Sequence, residues 1–315
     1  METDLNGQSS QSDDSPAAAA RARSPIVARP ATRNARAVAP AQDDAEAPCP
    51  TCAARAGETQ SYIYAIGRVE ARFPTTAIEK EFAQATSRAD TKGKTDRAAF
   101  YTVLSQPENR YLARQLCWVF TIQGLDTYIL MPGDPTDLNM LIEAIKAPGD
   151  PEAWLCCVIG VLGPTAPPTM CAGLMVPIVR FDQLYFFDSP SLVKAIPKPD
   201  KIGPKEFAAS ASELFARVMQ MTDNAGASDD DRALNYLALR YPAIYATAAD
   251  CHARDFSLSG VEARGSALSG TRNVVDVIFT YTNRNTDVDE QYFVRVDVTE
   301  EFPFLVTKLT PYYQH

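Results

Sequence analysis

Two cysteines separated by two residues, Cys49-Pro-Thr-Cys52, are the one overt piece of metal chemistry in the sequence. Two thiolates at that spacing can wrap a single zinc ion at the bond lengths zinc prefers. They make only half of a site, because structural zinc takes four ligands and no second CxxC or HxxxH is present. Cys117 and Cys171 are the residues expected to complete it from the folded body, giving a structural Zn2+ held by Cys49, Cys52, Cys117 and Cys171. The alternative is a homodimer in which a second subunit contributes its own pair across a two-fold axis. Cys156 and Cys157 cannot both serve from a strand, where successive side chains point to opposite faces. Two other readings stand beside zinc: tail cysteines without a role, and a redox pair. The redox reading is the weaker, since the motif does not open a helix after a strand.

Other chemistry is sparse. There is no GxGxxG, no phosphate loop and no nucleophile elbow, and one of the two histidines is the last residue, His315. A hydrolytic triad would rest on His252, expected to be a surface histidine near a helix end. Cys251 beside it is no partner, because neighbours on a helix point about 100° apart. Residues 283–290 concentrate acids and amides between two strands but lack the glycine and terminal acid of a calcium loop, so a solvated hairpin connection is expected. Asp276 and Asp297 on paired strands are a candidate carboxylate couple if the register brings them together.

A net charge of −9 over 315 residues gives no general affinity for nucleic acid or anionic lipid. The longest apolar run, residues 154–162, falls short of the ~20 residues a spanning helix needs. Residues 21–36 are Arg-rich and acid-free like a transit peptide, but contain proline and lack an amphipathic face. Seven cysteines without an apolar signal sequence point to a reducing, cytoplasmic setting with mostly buried thiols rather than a disulfide framework.

The elements that must position these residues begin after residue 57. Residues 1–57, rich in Ala, Pro and Arg, have almost nothing to bury and are expected to be a disordered tail. Residues 62–70 read as a strand. Thr76 and Glu79 read as a capping box, and helices follow to about residue 85 and over 95–104. Residues 116–122 and 127–131 form a β-hairpin turned at Gly124. Asp134 as N-cap with Pro135 at the first position starts a helix to about Lys146. Residues 154–161 and 174–187 are apolar strands either side of the Pro-rich stretch 163–169, which places a boundary between 58–170 and 171–315. Phe207, Ala211, Leu214, Phe215 and Val218 mark a helix with a left-handed stop at 224–226, and Ser228 caps the next. Alternation over 275–281, 292–298 and 304–309 gives an antiparallel three-stranded meander. The class is α+β, with mixed helices and hairpins first and helices then the meander last.

Several of these segments together resemble the C-terminal module of the PatA/PatG family of cyanobactin maturation proteins. They include Cys49-Pro-Thr-Cys52, YIYAIGRVEARFP (62–74), ENRYLARQLCWVFTIQGLDTYIL (108–130), MVPIVRFDQLYFFD (175–188), RALNYLALRYPAIY (232–245) and YFVRVDVTEEFPFLVTKL (292–309). The resemblance implies a role around ribosomally made, post-translationally modified peptides, with a precursor peptide or a peptide-modifying enzyme as partner. The family's proteolysis belongs to a subtilisin-like domain that has no counterpart in these residues, so no triad is carried over. The expectation is a non-catalytic accessory module; the alternative is a zinc-containing enzyme acting on such peptides.

Overall fold

A computed structural model describes residues 60–89, 91–146, 150, 153–221 and 223–313. The expected tail at 1–57, with Cys49 and Cys52, lies outside them.

The first strand, β1 (Tyr62–Arg72), is buried on both faces. Ile63, Ala65 and Val69 join the main apolar core, while Tyr64 lies edge-on to Tyr236, so each face of the strand has its own partner. Four helices follow with two strands among them: α1 (Thr76–Arg88), α2 (Asp96–Leu104), α3 (Arg110–Gln115), β2 (Cys117–Ile122), β3 (Leu125–Pro132) and α4 (Leu138–Ala144). The cap of α1 is Thr75, one residue before the expected Thr76, with its Oγ1 accepting from the Ile78 N–H. The hairpin turns on Gln123 and Gly124, both at positive φ, as a two-residue turn between right-twisted strands requires. Asp134 Oδ1 accepts from the Thr136 N–H at 2.8 Å, and a 3-10 turn leads into α4.

Strands β4 (Trp154–Thr165) and β5 (Pro177–Asp188) pair antiparallel along most of their length. The boundary expected at 170/171 falls in their connection, and the pairing runs across it. Parallel pairing of β3 with β5 closes a five-stranded barrel in the order β1-β2-β3-β5-β4. Its interior and the inner faces of α1–α4 form one core around Leu104, Leu112, Phe120, Leu141, Val158 and Phe181.

Four more helices follow: α5 (Ser189–Ala195), α6 (Pro204–Met219), α7 (Asp229–Arg240) and α8 (Ala243–Ala253). Gly226, expected as the stop of α6, serves a different purpose. Helix α6 ends at Gln220 with ordinary backbone, whereas Gly226 at φ +73° lies against β1, where a Cβ would come 2.5 Å from Ala65 Cα. Its carbonyl accepts from the Tyr64 N–H at 2.8 Å, and Asn235 Nδ2 donates to the Tyr64 carbonyl at 2.8 Å. Pairing of β1 with β2 starts only at Arg68, so these two bonds satisfy backbone groups that a neighbouring strand would otherwise take.

The chain ends in the expected antiparallel meander, with one more strand at its start. Strands β6 (Phe256–Gly265), β7 (Val274–Asn283) and β8 (Asp289–Asp297) pair in sequence, and the short β9 (Phe304–Leu305) and β10 (Thr310–Pro311) both pair with β8. Helix α7 packs on β1 and also on β6 and β7, and α8 packs on β6, so helices lie between barrel and meander. The α+β class stands.

Candidate peptide interface and the placement of the predicted residues

A closed barrel leaves no strand unpaired. In the meander β8 is bordered by β9 and β10 on its far side, while β6 pairs with β7 alone. Among the described residues, β6 thus carries the long open edge: ten residues with one row of N–H and C=O groups facing outward. Next to that edge, the sheet's outer face has Arg264 opposite Asp276, which is opposite Arg295. Arg295 Nε bonds Asp276 Oδ1 at 2.7 Å, and Arg264 Nη2 donates to the Tyr312 hydroxyl at 2.7 Å. Phe293 and Tyr312 meet edge to face, with the Arg295 guanidinium over Phe293 at 5.1 Å. A strand added to β6 would therefore find Glu262 and Arg264 on the outer side and half-buried Val261 and Ala263 on the inner side.

The register overturns the Asp276/Asp297 couple. Asp276 faces Arg295, and Asp297 faces Val274 two rows away, 1% exposed, with its oxygens near Arg272 Nη1 at 3.1 Å and the Thr299 N–H at 3.0 Å. A carboxylate couple exists elsewhere, between Asp182 of β5 and Glu301. Glu301 Oε1 is buried with no donor in reach, and burial followed by the neighbouring Asp182 pushes its carboxyl up to about 7, against the smaller opposing pull of Arg180 and Arg232. Nothing in the sequence links two acids so far apart. Because the folded state holds this proton up to about pH 7 and the unfolded chain releases it near pH 4.3, the pair favours folding at low pH and loses that advantage as pH rises between those values. The urea midpoint of the wild type is expected to fall between pH 5 and pH 8 by more than that of Glu301→Gln; parallel slopes would refute the shared proton.

The five cysteines among the described residues divide into three groups. Cys117 at the start of β2 and Cys171 in the β4–β5 connection are brought together, Cα atoms 5.5 Å apart, in a disulfide. The bond departs from the sequence expectation of mostly buried thiols, with Cys117 and Cys171 as thiolate ligands. A bonded pair offers zinc no thiolate, so a metal at Cys117 and Cys171 requires the reduced pair. Among the described residues no group of three or more His, Cys, Asp or Glu side chains gathers as a metal site. Cys156 and Cys157 are fully buried in β4, and burial pushes Cys156 up to about 12 and Cys157 higher still, so both are neutral and inert at neutral pH. Cys251 is likewise buried and pushed up to about 11, with its sulfur beside Arg254 Nη2 at 3.5 Å, which leaves no thiolate for a dyad with His252. Arg254 is fixed instead by a two-pronged bond to Glu290 at 2.8 Å, which holds that carboxyl below its usual range.

The 283–289 loop is the β7–β8 hairpin connection. The Asn283 side chain accepts from the N–H groups of Asn285 and Thr286, and Asp287 takes the left-handed position.

In sequence, residues 202–312 match the family described as PatG C-terminal, a span covering α6–α8 and the meander. In structure, the chain is similar to a solved structure described as "PatG Domain of Unknown Function", at 20% identity and a TM-score of 0.65 over 80% of this chain and 98% of that one. At that identity the likeness establishes a shared fold. A search of curated proteins finds no sequence match.

Proposed function

We propose, from the PatG C-terminal match of residues 202–312, that this chain is a non-catalytic accessory module in the biosynthesis of ribosomally made, post-translationally modified peptides of the cyanobactin kind. Its partner is a precursor peptide, taken as an added strand along β6. The observation that carries this reading is the open edge of β6, since strand addition gives affinity through main-chain bonds and selects side chains through alternate positions. The charged row fits an acidic residue beside Arg264 and a basic one beside Glu262. Such work belongs in the cytoplasm, where precursor peptides are made; no helix among the described residues is long and apolar enough to cross a membrane.

Hydrogen exchange with and without a precursor peptide encoded beside this chain tests the reading. Bound peptide is expected to slow exchange at least tenfold across the amides of 256–265 that do not bond to β7, and to leave β2 unchanged. A peptide with N-methylated alternate amides should lose most of its affinity. Binding without protection of β6 would remove the edge as the site, and no binding to any such peptide would remove the proposed partner.

A further inference from the structure

A cavity of about 730 Å3 lies away from β6, between the barrel and the helices α5 and α6. That volume is in the range of small-molecule sites. Its origin is legible in α6. Phe207, Ala211, Leu214, Phe215 and Val218 bury one stripe of the helix, while the adjoining line Ala208, Ser212, Ala216 recurs every four residues with side chains too small to reach the barrel. Leu155, Val193, Ile196, Phe207, Phe215 and Met219 give the space an apolar lining.

The charged groups are few and of one sign. The side chains of Arg68, Lys194 and Lys198 line the cavity and no Asp or Glu does, although the chain carries 39 acids against 30 bases. Lys198 Nζ is held in place by the carbonyls of Pro199 at 3.0 Å and Ile202 at 2.8 Å, neither of which neutralises it. Lys194 and Lys198 form no ion pair among the described residues. On the barrel wall Thr121 faces the same space at the shift in register between Phe120 and Thr121.

We infer that this cavity is a binding site for a single-chain amphipathic carboxylate, with its alkyl body between α6 and the barrel and its head group at Lys194 and Lys198. An apolar slot alone would accept any hydrophobe. Lys194 and Lys198, unopposed by acids, select the anionic head, because an ammonium head would meet like charge and an alcohol would gain no charge-assisted bond. None of the residues involved belongs to β6, so the inference is independent of the peptide reading.

Isothermal titration of the full chain with dodecanoate, dodecanol and dodecyltrimethylammonium, each below its micelle concentration, tests it. Dodecanoate is expected to bind saturably at one per chain, at least tenfold more tightly than dodecanol, with no saturable binding of the ammonium. Lys194→Met/Lys198→Met should weaken dodecanoate about tenfold and leave dodecanol unchanged. Ala208→Trp, which fills the slot from α6, should abolish both. Equal affinity for the three head groups, no saturable binding of dodecanoate by the wild type, or dodecanoate binding unaffected by Ala208→Trp would overturn the inference. So would tighter binding of an apolar pentapeptide with a free C-terminus, which would make the cavity a peptide site.

Discussion

Replacing Arg232 by Met is expected to lower the free energy of unfolding by about 3–5 kcal/mol, from about 1–3 kcal/mol for each buried carbonyl left without a donor. Arg232 is 3% exposed in the first turn of α7, and its guanidinium donates to the carbonyls of Val298 at 2.6 Å, of Glu300, and of Glu301 at 3.4 Å. It also lies over the Tyr62 ring at 5.4 Å, so a single side chain joins β1, α7 and the turn after β8. The contact with Asp229 at 3.5 Å adds little, because that carboxylate is 43% exposed. Methionine keeps most of the stem's volume, so the loss reports on the donors. The cost arises from carbonyls left in a dry junction with no N–H to meet them. Urea denaturation at pH 7 measures it, and a loss under about 1 kcal/mol would mean that water replaces the guanidinium. Hydrogen exchange should quicken first in 298–301.

That junction also shows where sequence reasoning stops. Helix caps were legible because they are local: Asp134 and Ser228 each accept an N–H two or three residues on, where the sequence places them, and the cap of α1 falls one residue from the expected Thr76. The alternation of β7 was legible because its Val275, Val277, Phe279 and Tyr281 all face the helices. Strand β6 escaped notice for the opposite reason: its inner face is only half covered, and a bulge between Leu258 and Gly260 breaks the period. In the barrel, β1, β2 and β4 are buried on both faces, so their apolar runs announce strands without naming neighbours, and closure depends on the parallel β3–β5 pairing across some fifty residues. Arg232 reads in sequence as one more exposed helix charge, and the Asp182/Glu301 couple has no local signature at all. Of the candidate metal residues, Cys117 and Cys171 were selected as thiols and do meet, but their spacing carries no information about bonding to each other.

The second large effect concerns that bond. Reducing Cys117–Cys171 is expected to destabilise the fold by up to about 4 kcal/mol, the loop-closure entropy for cysteines 54 residues apart. The local backbone argues the same way. Cys171, Ala172 and Gly173 all have positive φ, two of them with a Cβ that disfavours it, and such conformations persist where surrounding structure fixes them. The bond fixes this turn to β2, so reduction should lower the urea midpoint and speed exchange over 166–176 while β6–β8 stay protected. The variant Cys117→Ser/Cys171→Ser should match the reduced wild type. An unchanged midpoint would mean that packing alone holds the connection. The same reduced chain tests the zinc reading of Cys49, Cys52, Cys117 and Cys171. One equivalent of zinc bound by the wild type, and lost both in that variant and in Cys49→Ser/Cys52→Ser, would make the four a single site that fastens residues 49–52 to the barrel. Binding lost only with Cys49 and Cys52 would keep the pairs apart, leaving Cys117 and Cys171 a structural cross-link. In a reducing compartment the two outcomes differ in what holds the turn at 171–173: a metal in the first, and in the second only the packing of β4 against β5 on either side of it.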